Sequence, residues 1–365
     1  MKKNLFGLIL CMTFHLMAQM DVPPVAGNPR AKISEEIGIT SITIAYSRPD
    51  VGGREGKVWG NVVTEGFSTS NFLTGRANSP WRAGANENTL ITFEHDVYVE
   101  ARPLPAGTYG LHVAYWPDSC VLIFSHTVDA WGSFYYEEKN DALRIVVKPI
   151  KLEKNVEWLK FEFTEHRDDG CTIALMWEKL SIPFRVSVDL NQTVMKRLRE
   201  EVKSQKGFNS NNLVQAAQFA TAKGYLEEGL AWSIRAINGF NGQKSYFTLR
   251  NLATIYEKMN SINQVDSVMT EALAMANANQ YTTYARSLIA QQRATKALEI
   301  MLAGKNKWGD NYAIHGGLAY SYAANRDTNK ALEAANKALS MATTDQQRKT
   351  MTEVIEKLKS GKEIN

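Results

Sequence analysis

The sequence predicts two folded parts of different class, an antiparallel β-sandwich followed by a solenoid of α-helical hairpins. Three observations predict it. From Ala31 to Leu190 apolar and polar residues alternate; from Asn191 onward apolar residues follow the helical period; and the second part resembles itself at a step of roughly 34 residues. The 365 residues are 44% hydrophobic and carry a formal charge of +4. That is enough apolar material for packed cores, without the cationic excess that marks a nucleic-acid binder.

The chain opens with "MKKNLFGLILCMTFHLMAQ": two lysines, an apolar run from Leu5 to Met17, then Ala18. This is the order of a secretory signal peptide, cleaved after Ala18. The run is too short to cross a hydrocarbon layer of about 30 Å as a helix. Residues 1–18 are therefore expected to leave, residues 19–30 to form a linker, and the mature chain to be exported, periplasmic or secreted, without a transmembrane segment. Cys11 leaves with the signal peptide. The even pair that remains, Cys120 and Cys171, reads either as a disulfide suited to an oxidising compartment or as two buried thiols.

In residues 31–190, Ile42, Ile44 and Tyr46 alternate with Thr43 and Ala45, and Leu159, Phe161 and Phe163 with Lys160 and Glu162. Such alternation buries one face of a strand and wets the other. Turn chemistry at Pro105-Ala106-Gly107, Pro117-Asp118-Ser119 and Arg167-Asp168-Asp169-Gly170 separates about nine short strands, the pattern of a sandwich.

In residues 191–365, small residues recur as pairs seven apart: Gly229/Ala236, Val265/Ala272, Ala297/Gly304 and Ala331/Ala338, with Val265 the larger exception. Nine residues before each pair stand Ala220, Tyr256, Leu288 and Tyr322. Small positions let two helices of a hairpin approach, and larger ones fill the gap to the next hairpin. This region resembles the tetratricopeptide repeat (TPR), over roughly residues 209–342, with residues 345–359 as a capping helix. The first repeat lacks the aromatic and the third lacks a turn glycine. The resemblance implies a TPR-like platform that binds a protein or peptide partner. Tyr246, Tyr281, Tyr312 and Asn311 are candidates to line its groove, and His315 takes a packing position.

Residues 29–188 contain, in order, "ITIAYSRPDVGGR", "WRAGANENTLITF", "LPAGTYGLHV", "WGSFYYEEKNDALRIVVKP" and "ALMWEKLSIPF". Together these resemble a bacterial family catalogued as a domain of unknown function, number 2911 (DUF2911). The resemblance implies an exported β-sandwich, often from the Bacteroides and Flavobacterium group (Bacteroidetes), with no established activity. The chain departs from the family between Gly53 and Trp81, where a longer segment replaces a short link.

One loop draws chemical interest. Trp81 and Arg82 offer a ring and a planar donor fork for a carboxylate or phosphate, Gly84 allows close backbone approach, and Asn86 and Glu87 add an amide and an acceptor. The alternative is architectural: Trp81 plugs the sandwich end, Arg82 pairs with a carboxylate such as Glu87, and Asn86 bonds its own turn. Arg48 is a second candidate cation, and Trp131 heads an aromatic cluster, Trp131–Tyr136, suited to a sugar ring or to filling a core end. His95 lies on an apolar face; His112 and His126 sit on consecutive strands with no patterned carboxylate or thiol, so no metal site and no cofactor is expected. No catalytic constellation stands out. Three readings remain: a non-catalytic interaction protein with a small-ligand sandwich and a partner-binding helical platform, an envelope enzyme acting on glycan or cell-wall material at the Trp81–Glu87 loop, or a purely structural role.

Overall fold

The computed structural model describes residues 27–364 apart from 74 and 76. The signal peptide and most of the linker expected from the sequence lie outside the described residues. The chain divides into two compact units, Met1–Thr193 and Val194–Asn365, a boundary three residues beyond the change of period.

In the first unit a six-stranded antiparallel sheet has the order β1 (Arg30–Ile37), β2 (Thr40–Ser47), β5 (Thr89–Phe93), β8 (Gly107–Tyr115), β9 (Cys120–Ser125), β10 (Asp141–Val147). A four-stranded sheet has the order β11 (Ile150–Arg167), β12 (Gly170–Ser187), β6 (Val97–Val99), β7 (Arg102–Leu104). The alternation read from the sequence is the burial pattern of β2, whose Ile42, Ile44 and Tyr46 point inward. One apolar core takes Ile44, Phe93, Leu111 and Phe124 from the first sheet and Leu159, Trp177 and Phe184 from the second, which is roughly a sandwich. The described residues form twelve strands rather than about nine, and the last two are not short: β11 and β12, each of 18 residues, form a hairpin turned at Asp168-Asp169. Its outer strand pairs irregularly, shifting register on both sides of Val156, and exposes Lys151, Glu153, Lys154 and Glu157.

The longer segment after Gly53 is part of this unit. It contains the short pair β3 (Trp59–Gly60) and β4 (Val63–Thr64). Glu178, buried and at φ 51° where the pairing of β11 with β12 shifts register, accepts the Gly56 amide through Oε1. Trp59 donates Nε1 to the Trp177 carbonyl at 3.2 Å, and the Gly66 amide reaches the Tyr115 carbonyl at 2.6 Å.

The second unit is a run of helices: the C-terminal part of α1 (Leu190–Glu201), then α2 (Ser210–Ala222), α3 (Leu226–Asn238), α4 (Tyr246–Lys258), α5 (Ile262–Met275), α6 (Ala278–Ala290), α7 (Ala294–Trp308), α8 (Tyr312–Ala324), α9 (Thr328–Ser340) and α10 (Asp345–Lys359). Hairpins α2–α3, α4–α5, α6–α7 and α8–α9 are the four predicted repeats, and α10 packs on α9 as the cap. First helices start at side-chain caps: Asn209, Ser245, Asn277, Asn311 and Thr344 each accept a first-turn amide. Inside each hairpin one turn residue adopts the left-handed conformation, successively Gly224, Asn260, Gln292 and Arg326. Only the first is glycine, so the turn persists in the third repeat without one.

The paired small positions are where the hairpins close. Ala236, Val265, Ala272, Ala297, Ala331 and Ala338 are fully buried. A Cβ on Gly304 would stand 2.9 Å from Tyr281, and one on Gly229 would stand 2.5 Å from Thr221 Oγ1 and 3.1 Å from the Ala217 carbonyl. Tyr256 and Tyr322 are partly buried and pack against the helical core. His315, buried as expected, bonds Asp310 through Nε2 at 2.8 Å. Lys337 also holds Asp310, and these two partners keep its carboxyl well below the ordinary range, at about 2.

Two helix-interior glycines respond to alanine with opposite signs. At Gly229 the added methyl meets a hydroxyl fixed on the Ala217 carbonyl. Overpacking of about 1–3 kcal/mol outweighs the gain in helix propensity of roughly 0.5–1 kcal/mol. At Gly316 the nearest atoms are those of Met351 at 3.9 and 4.0 Å. Denaturant unfolding is expected to show Gly229→Ala destabilised and Gly316→Ala stabilised by roughly 0.5–1 kcal/mol.

Candidate functional site

The Trp81 loop closes one end of the sandwich between β4 and β5. Trp81 joins Val113 of β8 by two backbone bonds of 2.8 and 2.7 Å. Its indole stacks on Trp177 at 6.0 Å, meets Trp59 edge-on at 5.6 Å, and donates Nε1 to the Gly84 carbonyl at 3.0 Å. Its polar and apolar faces are both engaged, so Trp81 is a plug. Ala83 and Asn86 take positive φ, 51° and 60°, and a Cβ on Gly84 would stand 3.0 Å from the Ser47 carbonyl. The glycine therefore serves the packing of the loop on β2.

Arg82 turns away from both partners expected of it. Its guanidinium lies 4.9 Å from the Phe134 ring centroid rather than on Trp81, and Nη1 donates to the Asn86 carbonyl at 2.6 Å rather than to Glu87. A Cβ on Gly132 would fall 2.2 Å from its Cζ, which is why glycine stands there. Burial lowers the guanidinium's pKa. Phe134 in turn stacks with Phe72 of the longer segment at 4.9 Å and 13°. The Asn71 side chain donates to the Tyr136 carbonyl at 2.7 Å, and Ser79 Oγ to the Ser133 carbonyl at 2.7 Å. The segment between Gly53 and Trp81 thus packs against the Trp131–Tyr136 cluster.

Beneath that cluster His112 and Ser133 are both buried, with Nδ1 and Oγ 3.1 Å apart. His112 meets this serine across the core and does not pair with His126, whose ring contacts Tyr109. Burial first, and the Arg82 charge second, push the His112 imidazole down to about 4. Next to it Tyr136 donates to Asp141 Oδ2 at 2.6 Å, and Arg144 donates to both groups. Burial raises the Tyr136 hydroxyl and the Asp141 carboxyl.

Glu87 and Trp131 face a different space. A cleft of ≈ 280 Å³ is lined by Arg30, Ala45, Tyr46, Ser47, Glu87, Asn88, Leu90 and the Val128–Trp131 segment. Trp131 is 56% exposed. Glu87 accepts from Ser47 Oγ at 3.2 Å and stands 3.8 Å from Arg30 Nη1. Asn86 meets Asn28 through its side chain at 3.4 Å. Arg48 lies outside the cleft, its Nε donated to the Leu159 carbonyl at 2.8 Å. Of the six sequence candidates, the structure therefore brings together Glu87 and Trp131, and commits Arg48, Trp81 and Arg82 to holding the fold. Ser47, Asn88, Asp129 and Arg30 were not foreseen; Asp129 alone carried a signal, two residues before the exposed tryptophan.

Cys120 and Cys171 are free, buried thiols and do not form the disulfide considered from sequence. Burial pushes them up to about 12 and about 11. Each faces its own neighbours: Trp116, through its backbone, and Tyr115 beside Cys120; Glu35 and Arg167 near Cys171. Among the described residues no group of three or more His, Cys, Asp or Glu could hold a metal ion, and no helix is long and apolar enough to cross a membrane. In the helical unit, three groove candidates from the sequence hold neighbouring elements instead. The hydroxyls of Tyr246, Tyr281 and Tyr312 donate to the carbonyls of Gln280, Leu273 and Gln347, and Asn311 caps α8.

Residues 28–186 match the family described as a protein of unknown function (DUF2911), which accounts for the first unit. No curated protein matches the chain. Among solved structures, helical-repeat proteins resemble the second unit. YrrB, "a TPR protein with an unusual peptide-binding site", is 13% identical, with 45% of this chain and 84% of that one covered at a TM-score of 0.31. A thermophilic TPR protein of Thermus thermophilus is 15% identical, with 46% and 91% covered at 0.32. PilF of Pseudomonas aeruginosa is 17% identical, with 41% and 69% covered at 0.30. The repeat assignment itself rests on the hairpins, caps and small-residue contacts described above.

The neutral His112 makes the sandwich sensitive to acid. Its folded pKa of about 4 lies below the ordinary 6.5, so on acidification the unfolded chain takes up the proton first. Stability is full above about pH 6.5 and falls progressively toward pH 4, by a few kcal/mol for this one group. His112→Asn should flatten that decline in unfolding measured across pH 4–7. Arg82→Ala should cost about 1–3 kcal/mol through its charge-assisted bond and ring contact, read as a lower Tm.

Proposed function

We propose that this is an exported, non-catalytic interaction protein: the helical unit docks a protein or peptide partner, and the sandwich holds a small ligand in the Trp131 cleft. Export is inferred from residues 1–18, and a mature N-terminus at Gln19 in the fractionated or secreted protein is its direct test.

The platform reading is carried by one observation, the solvent-facing rows on two of the four first helices, α2 and α6. Exposed positions recur with the same spacing at Asn211, Gln215, Gln218 and Ala222 of α2 and at Asn279, Thr283, Arg286 and Ala290 of α6. None of these is acidic. Consecutive first helices meet side by side: Arg250 lies over Tyr284 at 5.5 Å, Arg286 over Tyr320 at 4.4 Å, and Thr282 bonds the Ala313 carbonyl at 2.8 Å. Arg250 is neutralised by Glu257 at 3.0 Å, whereas Arg286 is exposed on its tyrosine, a planar donor fork available to a partner's acceptors. Beside α2 a groove of ≈ 410 Å³ runs along α1, lined by Leu198, Val202, Gln215 and Phe219 among others.

Crosslinked capture from an envelope fraction with the full mature chain is the test. A specific protein retained by the native chain and lost with Arg286→Glu, at unchanged thermal stability, supports the platform. Equal capture by both chains, or none by either, removes it.

A second reading, an envelope enzyme acting on glycan or cell-wall material, is favoured by one feature: the Trp81–Glu87 loop and the Trp131 segment meet, and Glu87 and Asp129 line a common cleft. It requires product release from such material that is abolished by Glu87→Gln.

A further inference from the structure

The cleft beside Trp131 has a chemistry that selects among small ligands. Deepening the reading of that cleft as a ligand site, on which this argument rests, we infer that it takes a single non-anionic sugar ring, stacked on Trp131 and donating hydroxyls to Glu87, Asp129 and Asn88. Three features lead there.

The first is the wall. Trp131 is 56% exposed and lines the cleft beside the apolar edges of Ala45 and Leu90. A large ring left in water at a concave site offers a flat apolar surface to a ligand with an apolar face. The opening of ≈ 280 Å³ is just below the range of roughly 300–1,000 Å³ usual for ligand pockets, which fits one ring better than an extended chain.

The second is the sign of the polar groups. Glu87 and Asp129 are carboxylates, acceptors only when ionised. Ser47 Oγ already donates to Glu87, and Arg82, whose Nη1 donates to the Asn86 carbonyl, does not line the cleft. The remaining cation, Arg30, has a side chain 74% exposed and stands 3.8 Å from Glu87, where it offsets one of the two negative charges. A carboxylate or phosphate ligand would therefore face net negative charge, and a purely apolar ligand would strand the carboxylates without donors.

The third is Asn88. The residue is 5% exposed, its Nδ2 donates to the Thr127 carbonyl at 3.0 Å, and its Oδ1 is buried with no hydrogen-bond partner. A buried acceptor without a donor is uncommon in a native fold. Asn88 lines the same cleft, and a side-chain rotation that turns Oδ1 toward the opening lets a ligand hydroxyl satisfy it. Several donors on a ring with an apolar face describe a sugar.

The test is isothermal calorimetry and thermal unfolding of the full mature chain with a neutral hexose, an amino sugar, a hexuronic acid and inorganic phosphate. The neutral and amino sugars are expected to bind, and the uronic acid about tenfold more weakly through repulsion by the cleft carboxylates. Trp131→Ala should weaken sugar binding on the order of tenfold or more by removing the stacking surface, while Trp131→Phe restores much of it. Tyr135→Ala, an exposed aromatic that does not line the cleft, should change nothing. Binding of uronate or phosphate in preference, abolished by Trp131→Ala, keeps the ligand site and overturns the sugar. Sugar binding indifferent to Trp131→Ala overturns this placement. Binding of none of the four overturns both the sugar and the ligand site.

Discussion

One desolvated cation organises the end of the sandwich. The Arg82 guanidinium sits between the Asn86 carbonyl and the Phe134 ring, and its neighbours are arranged around that position. Gly132 is bare because a side chain there would occupy the same space. Asn86 takes a left-handed turn that presents its carbonyl. His112 is held neutral partly by the same charge. Phe134 passes the contact on to Phe72, and so to the segment between Gly53 and Trp81. A positive charge removed from water is costly unless its hydrogen bonds are replaced. Here one carbonyl supplies an acceptor and one ring a cation–π contact, which ties two loops and the Phe72 segment together.

That arrangement divides the work between the two sides of the loop. Toward the core, the Trp81 indole donates to the Gly84 carbonyl and stacks on Trp177, and the Arg82 guanidinium bonds the Asn86 carbonyl against the Phe134 ring. Toward the opening, Glu87 and Trp131 remain half-exposed in a shared cleft. Residues of one loop serve opposite purposes because the left-handed turns at Ala83 and Asn86 redirect the chain between Arg82 and Glu87.

The periodic features were legible in the sequence. Alternation at Ile42, Ile44 and Tyr46 is enforced by the pleat, and the small residues from Gly229 to Ala338 are enforced by helix contact, so both leave marks wherever they act. The left-handed hairpin turn was partly hidden because Asn260, Gln292 and Arg326 occupy a conformation that sequence reading assigns to glycine. Arg82 was misjudged for a plainer reason: its acceptor is a backbone carbonyl, which every residue carries and no side chain advertises. The cleft was hardest to see, since Ser47, Asn88 and Asp129 come from separate strands and loops and meet only in space.

The edges of the two sheets bear on how this molecule keeps company with itself. The outer strand β11 carries alternating lysines and glutamates and breaks its own register around Val156; at the opposite edge of that sheet, β7 places Pro103 where another chain would seek an amide. An edge so charged, so irregular or so short of donors makes a poor template for a neighbour's backbone. At high local concentration the four-stranded sheet is therefore guarded against strand-to-strand polymerisation, and contacts with other molecules fall to side-chain surfaces, where specificity can be written residue by residue.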